Sequence, residues 1–135
     1  MLVVARPLLQ AIASHAYGAY PLEACGLLIG HPEQARIVEF IPTRNVAASA
    51  RVYEVHAGDH LRIERDAEDR GLQVVGVMHS HTHSEPYPSP TDVEQAHDPD
   101  WHYLIVSLKR GVPEIRSYRI VEGAITEERI VPSGR

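Results

Sequence analysis

The chain has 135 residues, the size of one domain, with 44% hydrophobic residues, 23% charged residues and a formal charge of -5. That acidic balance, with no Lys/Arg cluster, argues against a nucleic-acid surface, and no apolar run approaches the roughly 20 residues of a membrane span. The single cysteine, Cys25, excludes an intramolecular disulfide and the zinc modules built on four cysteines or on two cysteines and two histidines. It also makes a reducing cytoplasm the expected location. Met1–Arg6 is too short and wrongly arranged for a signal peptide.

Pro7 to about Gly18 is predicted to be a helix, with Pro7 in its first turn and Leu8, Leu9, Ile12, Ala13 and Ala16 as an apolar stripe; Tyr20-Pro21 breaks it. Ala24–Gly30 and Arg36–Ile41 are predicted strands, Pro42–Ala50 a loop and Val52–Val55 a short strand. Gly58–Arg70 is a charged helix with Leu61, Ile63 and Ala67 as its apolar contacts, ended by Gly71. Gln73–His79 is an apolar, buried strand, followed by a Pro/Ser/Thr-rich loop. Ser89-Pro-Thr-Asp92 opens a short helix, with Ser89 as N-cap and Pro90 at the first position, and Asp98-Pro-Asp100 stops it. Strands are expected over Tyr103–Leu108, Glu114–Val121 and Ala124–Val131, the last two joined by the tight-turn dipeptide Glu122-Gly123. Helices mixed with strands and a final meander give an α+β (α/β) class with a mixed sheet, and nothing divides the chain.

The chemistry concentrates in His79-Ser-His-Thr-His-Ser-Glu-Pro-Tyr-Pro-Ser89-Pro-Thr-Asp92. Residues two apart on a strand face the same way, so His79 and His81 can reach one metal ion. Asp92 supplies a third ligand from the helix that begins near Ser89. Two histidines and a carboxylate, with the fourth position left to water, is the pattern of catalytic rather than structural zinc. Hydrolysis then needs a base and a donor for the oxyanion. Glu23, at the entry to the apolar strand, is the candidate base, and Ser89, three residues before Asp92, the candidate oxyanion donor.

Glu23, then His79-Ser80-His81, seven residues, Ser89, two residues and Asp92 resembles the full motif of the JAMM (MPN-plus) metalloprotease family. The resemblance spans residues 1–135 as one metallopeptidase domain. It implies one zinc per chain on His79, His81 and Asp92, Glu23 as general base, Ser89 at the oxyanion, and a sheet curled between helices as in the cytidine-deaminase-like architecture. Deaminase chemistry itself is excluded by the missing Pro-Cys-x-x-Cys ligands. The chain has no room for the long insertions of eukaryotic deubiquitinating members and resembles the compact prokaryotic type. Glu23-Ala-Cys-Gly, Tyr87-Pro-Ser-x-Thr-Asp92 and Arg116-Ser-Tyr-Arg-Ile are similar to Mec-type peptidases. Those remove cysteine from the C-terminus of a ubiquitin-like sulfur-carrier protein ending in Gly-Gly, for cysteine biosynthesis. The alternatives are a desampylase-like isopeptidase acting on lysine-linked conjugates and a non-catalytic scaffold of the same fold. A monomer and a homodimer both stay open.

Other histidines have plainer readings. His83 lies in the loop and is not expected to be a ligand. His97, Asp98, Asp100 and His102 are interrupted by Pro99 and read as a helix end and loop. Cys25 is expected to pack as a small hydrophobe.

Overall fold

Eight strands and three helices build the described part of the chain, residues 1–134 of a computed structural model. In chain order they are β1 (Leu2–Ala5), α1 (Arg6–Ala19), β2 (Cys25–Gly30), β3 (Arg36–Thr43), α2 (Ala57–Asp69), β4 (Gln73–His81), α3 (Pro90–Gln95), β5 (His102–Ser107), β6 (Glu114–Val121), β7 (Ala124–Glu128) and β8 (Ile130–Ser133). All strands join one sheet in the order β7-β6-β5-β4-β2-β3-β1-β8. β4 is antiparallel to β2 and parallel to β5, so the sheet is mixed, as expected. β7 and β8 lie at opposite edges of that order, yet only Arg129 separates them in sequence. Two edges joined by one residue must approach each other, and the sheet is therefore curled.

The alternation of side chains sorts the core into two layers. Leu28, Met78, Leu104 and Val106 pack with Leu2, Val4, Ile12 and Ala16, the α1 side. Cys25, Leu27, Val77, Tyr103 and Ile105 pack with Ile63 and Ala67, the α2 side. β2 is buried along its whole length, which explains its unbroken apolar run. Glycine is required at Gly76. A Cβ there would stand 2.3 Å from the His102 carbonyl oxygen, its register partner on β5. The β6–β7 hairpin has positive φ at both Glu122 (50°) and Gly123 (81°), the type I′ pattern foreseen from the acidic-Gly pair.

Four expectations need correction. Leu2–Ala5 is a strand that the sequence did not mark, pairing in parallel with β3 and β8. The predicted strand Ala124–Val131 is two strands, and β8 leaves β7 to pair with β1 on the opposite edge. Val52–Val55 forms no strand, only an isolated bridge between Val55 and Asn45. Leu61 is 49% exposed rather than a core contact, leaving Ile63 and Ala67 to hold α2. Two strands also run further than expected. β3 continues through Pro42 to Thr43, where β1 no longer pairs with it and the missing amide is harmless. β4 continues to His81, placing both histidines of the His-x-His pair on one strand.

Candidate metal centre

β4 carries His79 and His81 to its C-terminal end on the α2 side of the sheet, between Cys25 of β2 and Ile105 and Ser107 of β5. α3 brings Asp92. Its start is fixed by a capping box in which Asp92 N–H donates to Ser89 Oγ (3.1 Å) and Ser89 N–H donates to Asp92 Oδ2 (2.9 Å). The same Oδ2 lies 3.0 Å from His79 Nε2 and 3.0 Å from His81 Nε2, and the two ring nitrogens are 3.1 Å apart. All three side chains are buried.

This triangle fits a metal ion. Two neutral rings cannot both turn N–H groups toward each other at 3.1 Å without repulsion. Three lone pairs converging on one point suit a cation, and the edges approach the roughly 3.3 Å separation of atoms bound tetrahedrally at zinc distances. The His81 tautomer is prepared for it, because Nδ1–H donates to the Glu85 carbonyl (2.8 Å) and leaves the Nε2 lone pair free. His79 Nδ1 is buried without a partner, and the ring is held instead by the face of Tyr53, stacked at 4.3 Å and 16°. Among the described residues this is the one group of three or more acidic, histidine or cysteine side chains with that convergence.

Burial lowers the pKa of His79. For His81 burial acts in the same direction but is outweighed by Asp92 and the Glu85 carbonyl, and the value rises. Burial opposes ionisation of Asp92 too, yet the adjoining imidazoles of His79 and His81 and the Ser89 amide hold it well below the usual carboxylate range.

Glu23 stands beside this triangle. Its position is set by its backbone: Glu23 N–H donates to the Ser49 carbonyl (2.8 Å), Asn45 Nδ2 donates to the Glu23 carbonyl (2.9 Å), and the next amide, Ala24 N–H, donates to Ser80 Oγ (2.8 Å). Its side chain is 3% exposed and Oε1 has no hydrogen-bond partner. Burial pushes its pKa from 4.5 to about 7, with His81 lowering and Asp92 raising it further. Glu23, His81 and Ser89 line one groove of about 490 Å³ together with Ala50, Arg51 and Thr82–Ser84. Volume alone does not select it, since a cavity of about 500 Å³ lies at the other end of β4 around Gln73, His102 and Arg119, away from the donor triangle.

The other titratable groups stay out of the triangle. His83 is exposed and touches Thr82 and Tyr20. His97, Asp98 and Asp100 lie between α3 and β5, and His102 opens β5 paired with Glu128. Cys25 is buried against Thr43, and burial raises its thiol pKa, the opposite of an activated nucleophile. Three contributors carried no readable signal: Tyr53 behind His79, the Glu85 carbonyl on His81, and the pair Ser107 and Tyr118, whose hydroxyls donate to the Ser84 and Pro86 carbonyls and pin the loop leading to Ser89.

Residues 5–121 match the family of prokaryotic homologues of the JAB domain. The chain is 42% identical over 131 residues to the CysO-cysteine peptidase of Mycobacterium tuberculosis, covering 96% of this chain and 90% of that protein. It is 40% identical over 103 residues to a desampylase of Haloferax volcanii, covering 73% and 74%. A solution structure from Desulfitobacterium hafniense superposes with a TM-score of 0.87 at 28% identity, over 100% of this chain and 94% of that one. With this fold, this donor triangle and these relatives, the chain belongs to the prokaryotic JAB-domain family and is a peptidase.

Proposed function

We propose that the whole chain is one JAMM-type zinc peptidase domain that hydrolyses the bond after the C-terminal Gly-Gly of a ubiquitin-like sulfur-carrier protein and releases a single residue, cysteine. The observation that carries the chemistry is a buried carboxylate, Glu23, with an unpartnered oxygen beside three converging donors. His79, His81 and Asp92 would hold one zinc ion. When bound, such an ion polarises a carbonyl and acidifies water. Glu23 takes the proton of the attacking water and passes it to the departing amide nitrogen, the role of a carboxylate base placed beside the site with one oxygen free of other partners. The Ser89 oxygen accepts from Asp92 N–H, so its own proton stays available for the oxyanion of the attacked carbonyl.

Identity to the mycobacterial CysO-cysteine peptidase over 96% of this chain supports the single-residue leaving group. The shorter match to the desampylase supports the second reading, an isopeptidase acting on lysine-linked conjugates. No helix among the described residues is long and apolar enough to cross a membrane; the single cysteine, which cannot form an intramolecular disulfide, is what supports a reducing cytoplasm as the place of the reaction. The test is to incubate the protein with a Gly-Gly carrier extended by one cysteine, and with the same carrier joined to a lysine side chain, and to follow both by mass spectrometry. Faster loss of the single cysteine is expected; cleavage of the lysine conjugate alone would overturn the assignment. Sedimentation of the same preparation separates monomer from homodimer.

A further inference from the structure

A single departing residue and a lysine side chain both leave as primary amines. Only the single residue carries a free α-carboxylate on the carbon next to that nitrogen. Standard bond lengths place this carboxylate within about 4 Å of the attacked carbonyl carbon. Any group that recognises it must therefore line the same groove as Glu23 and Ser89.

Arg51 meets that requirement. It is the one Arg or Lys lining the groove. Its side chain is exposed and takes no part in an ion pair among the described residues, whereas Arg44, Arg70 and Arg110 each hold an acid. Its backbone is tied to both walls. Arg51 N–H donates to Ser49 Oγ (3.0 Å), the Ser49 carbonyl accepts from Glu23 N–H, and Thr82 Oγ1 donates to the Ala50 carbonyl (3.1 Å). The root of the side chain is thus fixed at the groove while its charge is unspent.

We propose, resting on the peptidase reading above, that Arg51 binds the α-carboxylate of the departing residue and makes this groove selective for one C-terminal amino acid over a lysine-linked conjugate. Arg51 stays protonated throughout. Water adds its hydroxyl to the glycine carbonyl carbon and its proton to the leaving nitrogen, and the guanidinium only holds the product in place.

The test uses three substrates on the full-length, metal-loaded protein: the carrier extended by one cysteine with a free carboxylate, the same carrier ending in a cysteine amide, and the lysine-linked conjugate. The free acid should be cut about tenfold faster than the amide in kcat/KM, a ratio equal to about 1.4 kcal/mol and within the range of hydrogen bonds to charged groups. Arg51→Gln should abolish the acid-over-amide preference, and Arg51→Lys should recover part of the ratio. Binding to the Glu23→Gln protein, read by fluorescence anisotropy, should show the same acid-over-amide preference and its loss on adding Arg51→Gln, with metal content and melting temperature unmoved. Equal handling of acid and amide by the unsubstituted protein, or a ratio that survives Arg51→Gln, overturns the role of Arg51 and leaves the peptidase reading standing. Failure to cut either single-residue substrate overturns both.

Discussion

Replacing Glu23 by glutamine should make the protein more stable and nearly inactive at once. Glutamine keeps the size and removes the charge. The buried carboxyl titrates at about 7 in the fold against 4.5 for an ordinary glutamate. Between these values the unfolded chain has lost its proton and the folded chain keeps it, so folding stability falls as pH rises through this window. At about 1.4 kcal/mol per unit, the loss amounts to roughly 3 kcal/mol once Glu23 is fully ionised, and glutamine escapes it. The assay is urea unfolding of both proteins with chelator present, since a cation beside Glu23 would favour its charged form. The two should unfold alike near pH 4.5, and Glu23→Gln should be the more stable by up to about 3 kcal/mol near pH 8. In the metal-loaded protein the same substitution should lower turnover by about 10²–10⁴-fold. A stability difference that does not change with pH would refute the buried, proton-holding carboxyl, and near-normal turnover would refute its role as base.

Ser89→Ala should cost about 1 kcal/mol in unfolding free energy through the lost cap and about 10–10³-fold in turnover; the stability loss with unchanged turnover would leave Ser89 a cap only. Gly76→Ala should destabilise by roughly 1–3 kcal/mol in urea, because the added Cβ meets backbone that cannot yield; an unchanged midpoint would contradict the close approach of β4 and β5. Metal affinity should weaken as pH falls, approaching about tenfold per unit below the ordinary histidine value of 6.5, because His81 holds its proton above that value and must lose it to bind; a dissociation constant that stays flat in competition titrations would contradict the ligand set.

The candidate centre was legible because its residues obey local rules. His79 and His81 share a face through strand alternation, and Ser89-x-x-Asp92 is a capping signature that brings the serine and the carboxylate together before any tertiary contact is known. Glu23 was legible from its place before an apolar strand and from the motif, but its fixed position was not, since that depends on Ser49, Asn45 and Ser80, all distant in sequence or on another element. The unreadable parts are long-range. Leu2–Ala5 is a strand because β3 and β8 flank it, and nothing in four apolar residues announces partners at 36–37 and 130–133. The break at Arg129 has the same cause, since β8 changes edge to meet β1 while its own residues would equally suit the hairpin. Tyr53 read as a strand residue because it lies in the run Val52-Tyr53-Glu54-Val55, while its place is set by the ring of His79.

The central claim is that one metal ion on His79, His81 and Asp92 makes this chain a peptidase. Chelator-stripped protein titrated with zinc, with bound metal read by mass spectrometry and cleavage of the cysteine-extended carrier read in parallel, tests it most directly. Activity should be absent at the start, rise with added zinc and break at about one equivalent per chain, and the His79→Ala, His81→Ala double variant should neither bind nor respond. Turnover by the stripped protein, or full zinc occupancy in that double variant, would contradict the account.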